Sequence, residues 1–234
     1  MTGSSAVIFG ATGGIGSAIA DQLESDGRLN NVIRFSRSAA SPLPVDLTSE
    51  ASIRDAAQWM KDKNIVPSMV FVATGLLHDG ERGPEKSLRQ LDADWLLKNY
   101  QVNAVGPALI AKHFLPLMDR KEISRFAALS ARVGSISDNR LGGWYGYRAA
   151  KAALNMMIRN LAIEWSRKND RSIIVALHPG TVDTALSEPF QGNVPPEKLF
   201  DSSRAARQLL DVLEELEPAQ SGKIFAWDGT EIHP

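Results

Sequence analysis

A tyrosine and a lysine four positions apart carry the strongest chemical signal in this sequence. Tyr147 and Lys151 open a helical pattern that continues to about Arg167. Because four residues make about one helical turn, both side chains lie on one face. A phenol titrates near ~10, but a neighbouring ammonium favours the phenolate and lowers its pKa. The pair therefore predicts a group that donates a proton to a carbonyl oxygen, or recovers it from an alcohol.

The tyrosine–lysine spacing is weak when it stands alone. Tyr-x-x-x-Lys arises by chance in many helices, and a partly buried tyrosine beside a surface lysine explains it without any chemistry. A second motif is needed before a function follows.

A glycine-rich turn near the N-terminus supplies that second motif. The apolar run 6–9 predicts a buried strand, residues 10–16 form the turn, and a helical pattern continues to about Asp26. Glycines let a backbone approach a pyrophosphate, and a helix start offers free N–H groups to it. A tight connection without a ligand is the alternative. The predicted cofactor contacts here are Gly10, Thr12, Gly14, Ile15 and Gly16.

The two motifs together resemble the short-chain dehydrogenase/reductase family, and the resemblance covers essentially the whole chain. Segments 130–136, 142–144 and 225–229 are similar to the branch that contains the C-factor and sniffer-type carbonyl reductases. The resemblance implies an NAD(P)-dependent oxidoreductase in which Tyr147 is the proton donor and Lys151 lowers the tyrosine pKa. It also implies a homodimer or homotetramer.

Further positions match the family's functional residues in the family's order. Asn103 matches a helix asparagine that supports the active site through a water. Segment 46–48 matches the stretch beside the adenine, and segment 179–184 matches the stretch that borders the nicotinamide. The cofactor contacts that the resemblance implies are Asp46, Leu47, Ala73, Gly75, Lys151, Pro179, Gly180, Val182 and Thr184.

The family's catalytic serine has no direct counterpart in this chain. It usually lies three residues before a glycine at the end of the fifth strand, and counting back from Gly134 reaches Ala131. Either Ser130 or Ser135 takes the role, or the enzyme lacks this hydrogen bond. A one-residue shift along a strand turns a side chain to the other face, so these positions are not equivalent. Our prediction is Ser130.

A second departure lies at residues 72–75, which are Val-Ala-Thr-Gly where the family often has Asn-Asn-Ala-Gly. The small residues and Gly75 still let the backbone pass the cofactor. The amide side chains that stiffen the sheet are missing.

The end of the second predicted strand indicates which dinucleotide binds. An acidic residue there would bond the ribose 2′-hydroxyl and repel a 2′-phosphate, but this chain has Ser36 followed by Arg37. A guanidinium suits a phosphate by its charge and its planar set of donors. The sequence therefore predicts NADP(H) in preference to NAD(H), with a solvated surface arginine as the alternative.

Short apolar runs alternate with amphipathic stretches. Strands are predicted at residues 6–9, 32–35, 69–73, 125–129, 173–177 and 223–227, with a weak one at 44–46. Helices are predicted at about 15–26, 49–62, 95–118, 147–167 and 202–216. This alternation predicts an α/β fold: one doubly wound, Rossmann-type domain over residues 1–234, with about seven mainly parallel strands and helices on both faces.

Ligands in such a fold bind beyond the carboxyl ends of the strands, where Gly10, Gly75, Ser130 and Pro179 fall. The proline- and glycine-containing segment 186–201 is expected to form a lid of mixed polarity over the substrate. Trp144 either flanks the pocket or belongs to the core.

The composition narrows the function classes. A net charge of −1 gives no reason to expect nucleic acid or an anionic membrane as a partner, and the absence of cysteine excludes disulfides and thiolate catalysis. The four scattered histidines show no metal-binding spacing. No apolar stretch reaches the ~20 residues that cross a bilayer. The start of the chain leads straight into a strand, so a cytoplasmic location without a signal peptide is expected.

The sequence thus predicts an NADP(H)-dependent oxidoreductase that reduces a small carbonyl compound or oxidises the corresponding alcohol. The alternative is a cofactor-binding signalling or interaction protein with little or no turnover. Ala131 and the altered segment 72–75 favour the alternative, whereas the intact pair of Tyr147 and Lys151 favours the enzyme.

Overall fold

The computed structural model describes residues 5–80, 82–192 and 194–234. The strands are β1 (Ser5–Phe9), β2 (Asn31–Phe35), β3 (Pro67–Val72), β4 (Ser124–Leu129), β5 (Ser172–His178), β6 (Thr181–Val182), β7 (Leu199–Phe200) and β8 (Ile224–Ala226). The α-helices are α1 (Gly14–Ser25), α2 (Glu50–Asp62), α3 (Ala93–Tyr100), α4 (Gly106–Phe114), α5 (Tyr145–Trp165) and α6 (Ser202–Glu215).

Within the described residues, six parallel strands form the central sheet in the order β2-β1-β3-β4-β5-β8. The order reverses direction after β1, because β2 lies on one side of it and β3 on the other. That reversal opens a crevice at the carboxyl ends of the strands, where doubly wound folds bind ligands. The predicted fold class is confirmed.

Two hydrophobic cores hold helices against the two faces of the sheet. One contains Ile53 of α2, Ile110 of α4 and Leu154 of α5, and the other contains Ile19 of α1 and Leu209 of α6. The inner strands are apolar on both faces because both faces are covered. No helix among the described residues is long and apolar enough to cross a membrane.

The weak strand predicted at residues 44–46 does not form. Pro44 makes only an isolated bridge with Ser36, and the Val45 N–H donates to the Ser36 carbonyl at 2.8 Å. Pro44 has no N–H to contribute to a ladder, so the pairing stops there. The central sheet therefore has six strands in the described residues rather than about seven.

The predicted long helix at about 95–118 is interrupted. A π-helical turn, Gln101–Val105, separates α3 from α4, and the Gly106 N–H donates to the Gln101 carbonyl five residues back. Pro107 follows and has no N–H to donate to the carbonyl of Asn103, four residues back. The ordinary helical bonding pattern fails at Asn103, and such turns occur frequently at functional sites.

Candidate active site

A cavity of about 470 Å³ lies beyond the carboxyl ends of β4 and β5. Ser130 lines it directly after β4, Pro179 directly after β5, and Tyr147 from the first turn of α5. These residues are far apart in the sequence, and the parallel strands bring them to one edge of the sheet.

The start of α5 is fixed by a buried acid that the sequence did not reveal. Glu85 is 3 % exposed, and its carboxylate accepts a hydrogen bond from the Gly146 N–H at 3.1 Å. Its backbone carbonyl accepts from the N–H of Trp144, which caps the helix with φ 50° and ψ 43°. A carboxylate is stabilised at the positive end of a helix dipole, and left-handed non-glycine residues concentrate at functional sites. Glu85 and Trp144 thereby set the direction in which Tyr147 enters the cavity.

Tyr147 and Lys151 are both buried, with 8 % and 2 % of their surfaces exposed. The Lys151 Nζ lies 5.6 Å from the centre of the Tyr147 ring and donates to the Leu129 carbonyl at 2.7 Å. The two side chains share one helix face, as their spacing predicts. The hydrogen bond from the Lys151 ammonium to the Leu129 carbonyl holds the lysine against the end of β4.

Burial dominates the electrostatics of this pair. It raises the pKa of Tyr147 above its ordinary value and lowers the pKa of Lys151 to about 7. The spacing alone predicts a lowered tyrosine pKa, and the structure gives the opposite direction because desolvation opposes the charged form of each group. The phenol is therefore protonated at neutral pH, which is the form that can donate a proton.

The structure separates the three candidate positions for the missing serine. Ser130 is buried, lines the cavity and donates its hydroxyl proton to Asn155 Oδ1 at 2.7 Å. Ser135 is also buried, but its hydroxyl donates to the His233 carbonyl at 2.6 Å, and it does not line the cavity. Ala131 lines the cavity and brings no donor in its side chain.

Asn103 is fully buried inside the π-helical turn. Its side-chain amide donates to the Leu76 carbonyl at 2.8 Å, and its side-chain oxygen accepts from the Leu76 N–H at 3.0 Å. This pair of bonds clamps the backbone that follows β3. The Asn103 side chain is thus a structural tie, while its backbone carbonyl lies in the turn that packs against α5.

The glycine-rich turn after β1 has no room for a side chain at three of its glycines, Gly10, Gly14 and Gly16. Gly10 has φ +81°, a Cβ on Gly14 would lie 2.7 Å from Thr184 Cγ2, and a Cβ on Gly16 would collide with the Gly10 carbonyl oxygen. Gly13 caps α1 without a side-chain hydrogen bond, and the first turn has no acidic residue. A backbone without side chains can approach a pyrophosphate closely, and the positive end of the α1 dipole, which no acidic side chain in the first turn offsets, can bind it.

Several predicted cofactor contacts lie in the same cavity as Tyr147. They are Ile15 from the glycine-rich turn and Pro179, Gly180, Val182 and Thr184 from the segment after β5. Thr12 is exposed in the turn, and Ala73 and Gly75 follow β3, where the Gly10 backbone approaches Ala73. The structure therefore joins the end of the glycine-rich turn and Tyr147 in one crevice.

The residues predicted to bind the adenosine end lie after β2. Arg37 is exposed and makes no ion pair within the described residues. The Asp46 carboxylate accepts from the Thr48 N–H and hydroxyl, which hold its pKa below the usual range, with a smaller effect from the charge of Arg37. Leu47 is buried against Gly106, so only its backbone is offered to a ligand.

The predicted lid segment folds over the substrate side of the cavity. Phe190 packs edge-on against Trp144 at 5.1 Å, and Trp144 in turn lies 6.3 Å from the Tyr147 ring. The base of the segment is tied by the β6–β7 pair and by a 2.9 Å hydrogen bond between His78 Nε2 and the Ala185 carbonyl. Trp144, which the sequence left between pocket and core, lines the cavity.

Sequence reasoning missed five titratable side chains of the cavity. They are Arg132, Asp138, Arg140, Arg148 and His178. A signal existed for His178, because a polar residue at the carboxyl end of a buried strand is typical of a ligand site in this fold. Burial lowers the pKa of His178 to about 4, so the ring is neutral at physiological pH.

Comparison with known proteins settles the family. The sequence profile described as short chain dehydrogenase matches residues 4–194. This chain belongs to the short-chain dehydrogenase family. It is therefore an oxidoreductase that uses a nicotinamide dinucleotide, as the two motifs predict.

Two relatives place the chain within the short-chain dehydrogenases. It is 30 % identical to 1-hydroxy-2-glutathionyl-2-methyl-3-butene dehydrogenase of Rhodococcus sp. strain AD45, over 97 % of this chain and 98 % of the relative. It is 32 % identical to the C-signal protein of Myxococcus xanthus, over 62 % of this chain and 82 % of the relative. The resemblance to the C-factor and sniffer-type branch is confirmed.

Solved structures share the short-chain dehydrogenase fold. The NADPH-bound carbonyl reductase from chicken fatty liver aligns with a TM-score of 0.86 at 22 % identity, over 98 % of this chain and 94 % of that one. The carbonyl reductase Sniffer of D. melanogaster aligns with a TM-score of 0.85 at 22 % identity, over the whole of both chains. At this identity the likeness establishes the fold.

Proposed function

We propose that this short-chain dehydrogenase is an NADP(H)-dependent carbonyl reductase with Tyr147 as the proton donor. The observation that carries the proposal is one cavity that holds Tyr147 together with Ile15, Pro179 and Thr184 of the predicted cofactor site. A bound nicotinamide supplies or accepts the hydride. The chain must then move one proton to or from the substrate oxygen.

Tyr147 is the group that holds this proton. Its raised pKa keeps the phenol protonated at neutral pH, so it is ready to donate when negative charge develops on a carbonyl oxygen. Lys151 lies beside the ring and, when protonated, stabilises the phenolate that remains. Its hydrogen bond to Leu129 can be exchanged for one to a cofactor ribose, which is the second role that we propose for Lys151.

We propose Ser130 as the hydrogen-bond donor to the carbonyl oxygen. It lines the cavity with Tyr147, but its only proton is given to Asn155. A substrate oxygen has to compete for that proton, and the Asn155 Nδ2 group is buried without a partner in the described residues. Asn103 is proposed to support Lys151 through a water held at the π-helical turn.

We propose NADP(H) rather than NAD(H) as the preferred cofactor. Arg37 follows β2, faces solvent and forms no ion pair among the described residues, although its charge contributes to the lowered pKa of Asp46. A 2′-phosphate would form the ion pair that Arg37 lacks. The carbonyl reductase from chicken fatty liver, whose fold this chain shares, was solved with NADPH bound.

We also propose a homodimer or homotetramer. The large exposed apolar side chains include Leu97 and Tyr100 on α3 and Met156 and Ile163 on α5. These two helices pack against each other, and exposed apolar side chains on neighbouring helices are typical of an association surface. A second copy of the chain would cover it.

A substrate panel tests the proposed reaction. NADPH oxidation is followed with aldehydes, ketones and quinones, and with the corresponding alcohols and NADP⁺ in reverse. Turnover that depends on both substrate and Tyr147 supports the reductase. NADPH binding with no turnover anywhere in the panel contradicts it.

The second candidate function is a cofactor-binding signalling protein with weak turnover. Ala131, which offers no hydroxyl in the cavity, is the observation that favours it. The similarity to the C-signal protein of Myxococcus xanthus points in the same direction. Under this alternative, Tyr147→Phe leaves both NADPH affinity and the biological output unchanged.

A further inference from the structure

The residues from the end of β4 to the first turn of α5 form a positively charged wall of the active-site cavity. Arg132, Arg140 and Arg148 all line it. Among the described residues of the lining, Asp138 is the one carboxylate, and His178 is neutral at physiological pH. The wall therefore carries more positive than negative charge.

Only one of the three guanidinium groups is neutralised by an acid within the described residues. Arg132 pairs with Asp138 at 3.0 Å. Arg140 donates to the Ser137 carbonyl at 2.8 Å, and Arg148 donates through Nη1 to the Val133 carbonyl at 3.3 Å. Backbone carbonyls orient these two side chains without cancelling their charge.

Arg148 is the most constrained of the three. It is partly buried, and its Nε is shielded from solvent without a hydrogen-bond partner in the described residues. A guanidinium stays charged under such conditions, and a partly desolvated cation without an acid is unfavourable. An anion in the cavity would remove that cost, because it would replace the solvation that Arg148 has lost.

The phosphates of the dinucleotide do not explain these charges. The glycine-rich turn follows β1 and Arg37 follows β2, whereas the arginine wall follows β4 on the other side of β3. The arginines line the cavity together with Leu141 and Phe190, on the side of the lid. Their charge faces the space left for the substrate.

We propose that the substrate of this enzyme carries a carboxylate or a similar anionic group, which Arg148 and Arg140 bind while the reacting carbonyl lies at Tyr147. This inference rests on the proposed carbonyl reductase activity. A charge-assisted hydrogen bond in a partly enclosed site gives both affinity and orientation. The lid residue Phe190 closes the apolar side of the same cavity.

Two matched aldehydes test the proposal. 4-Carboxybenzaldehyde and methyl 4-formylbenzoate share the ring and the aldehyde and differ in charge. We expect Arg148→Gln to lower kcat/KM for the carboxylate about 10- to 100-fold, the range for losing a hydrogen bond to a charged group, and to change the ester little. Arg140→Gln should act in the same direction, and Arg148→Lys should retain part of the preference because it keeps the positive charge.

The matched control is Arg54→Gln on α2, which removes the same charge from an exposed position outside the cavity. Equal losses for both aldehydes, or no loss for either in both arginine variants, overturns the proposal. If Arg148→Gln does not fold, Arg148→Lys and Arg140→Gln decide.

Benzoate binding, measured by calorimetry with saturating NADP⁺, separates this proposal from the reaction itself. Binding to the wild type that is lost in Arg148→Gln, with no turnover of either aldehyde, supports the anion site and contradicts the reductase. Turnover of both aldehydes without charge discrimination supports the reductase and contradicts the anion site. The absence of both benzoate binding and charge discrimination overturns the anion site.

Discussion

The two ends of the active-site crevice are built on different principles. At the cofactor end, the turn after β1 depends on positions without side chains, because Gly14 and Gly16 have no space for a Cβ. At the substrate end, the wall from the end of β4 to the first turn of α5 is built from long side chains such as Arg148, together with Trp144 in a left-handed conformation. The cofactor end depends on backbone sterics, which the spacing of the glycines in the sequence predicts. The substrate end depends on the positions that flexible side chains adopt in the folded chain.

The contrast has a functional consequence. A backbone cradle binds the part that all dinucleotides share, so it needs no variation from one enzyme to another. A side-chain wall can change its charge without moving the strands, so it is the part that adapts to a substrate. Tyr147, the proposed proton donor, lies between the two. It directly follows Gly146, whose N–H donates to the Glu85 carboxylate at the start of α5.

The largest effect is expected at Tyr147, where the two ends meet. Tyr147→Phe keeps the ring and removes only the hydroxyl, so kcat should fall about 10²- to 10⁴-fold, the usual contribution of a general acid. NADPH affinity, measured by fluorescence titration, should stay near that of the wild type. Tyr145→Phe, on the exposed side of the same helix, is the control. A Tyr147→Phe enzyme with most of its activity would refute the mechanism.

The next largest effect concerns Ser130, the proposed replacement for the family's catalytic serine. If Ser130 donates to the substrate oxygen, Ser130→Ala should lower kcat by about 10²- to 10³-fold, the cost of one oxyanion donor, with little change in cofactor binding. A silent Ser130→Ala would leave its hydroxyl as the structural partner of Asn155. In that case Ala131→Ser should raise activity, because it places a hydroxyl in the cavity. Ser135→Ala is the control, since its hydroxyl binds the His233 carbonyl.

Arg37 tests how far the cofactor end also uses a side chain. Arg37→Ala should weaken NADPH binding about 10- to 100-fold, as expected for a hydrogen bond to a charged group, and should leave NADH binding nearly unchanged. Dissociation constants for both dinucleotides provide the measurement. Arg54→Ala on α2 controls for the lost charge. Equal losses for the two cofactors would remove the basis of the NADP(H) preference.

Gly16 tests the steric principle directly. Gly16→Ala forces a Cβ against the Gly10 carbonyl, and overpacking of this kind typically costs ~1–3 kcal/mol. In a domain of this size each kcal/mol lowers Tm by about 2–4 °C, so a clear shift is expected in a thermal melt. Gly13→Ala is the matched control: its nearest neighbour would be the Gly10 oxygen at 3.4 Å. Equal melting temperatures for the two variants would contradict the tight packing.

These contrasts also explain what the sequence could predict. The glycine-rich turn, the tyrosine–lysine face and the alternation of strands and helices are local patterns, and each appears in the structure where it was expected. The failed strand at 44–46 was predicted from a short apolar run, but the missing N–H of Pro44 limits its pairing. The π-helical turn around Asn103 was missed because a helical period does not show one inserted residue.

The side chains of the substrate end were missed for a different reason. Nothing local marks Glu85 as buried, because its partner Gly146 lies far along the chain. The three arginines are exposed or partly buried residues of a loop and one helix turn, and only the tertiary fold directs them to one cavity. The direction of the Tyr147 pKa depends on the same tertiary burial, which outweighs the neighbouring lysine.

The smallest effect is expected in the pH dependence of stability, through Lys151. Burial lowers the pKa of the folded-state lysine from 10.5 to about 7. Between these two values the unfolded chain binds a proton that the folded chain does not, so the free energy of unfolding rises with pH in this window. Below it, both states are charged and the full cost of burying the ammonium remains. Lys151→Met removes the titrating group, so the melting temperature should rise less between pH 6.5 and pH 9.5, about the window that the pKa of Lys151 sets.

The measurement compares thermal melts of wild type and Lys151→Met without added dinucleotide, at constant ionic strength. Lys61→Met, on the exposed surface of α2, controls for the loss of a lysine that is not buried. The highest pH in the comparison stays below the ordinary pKa of a phenol. At higher pH the raised pKa of Tyr147 would lower the free energy of unfolding and oppose the effect of Lys151. Parallel curves for the wild type and Lys151→Met would show that Lys151 keeps its proton inside the protein. Lys151 would then remain an ammonium over the whole pH range despite its burial. It could stabilise the Tyr147 phenolate at every pH tested.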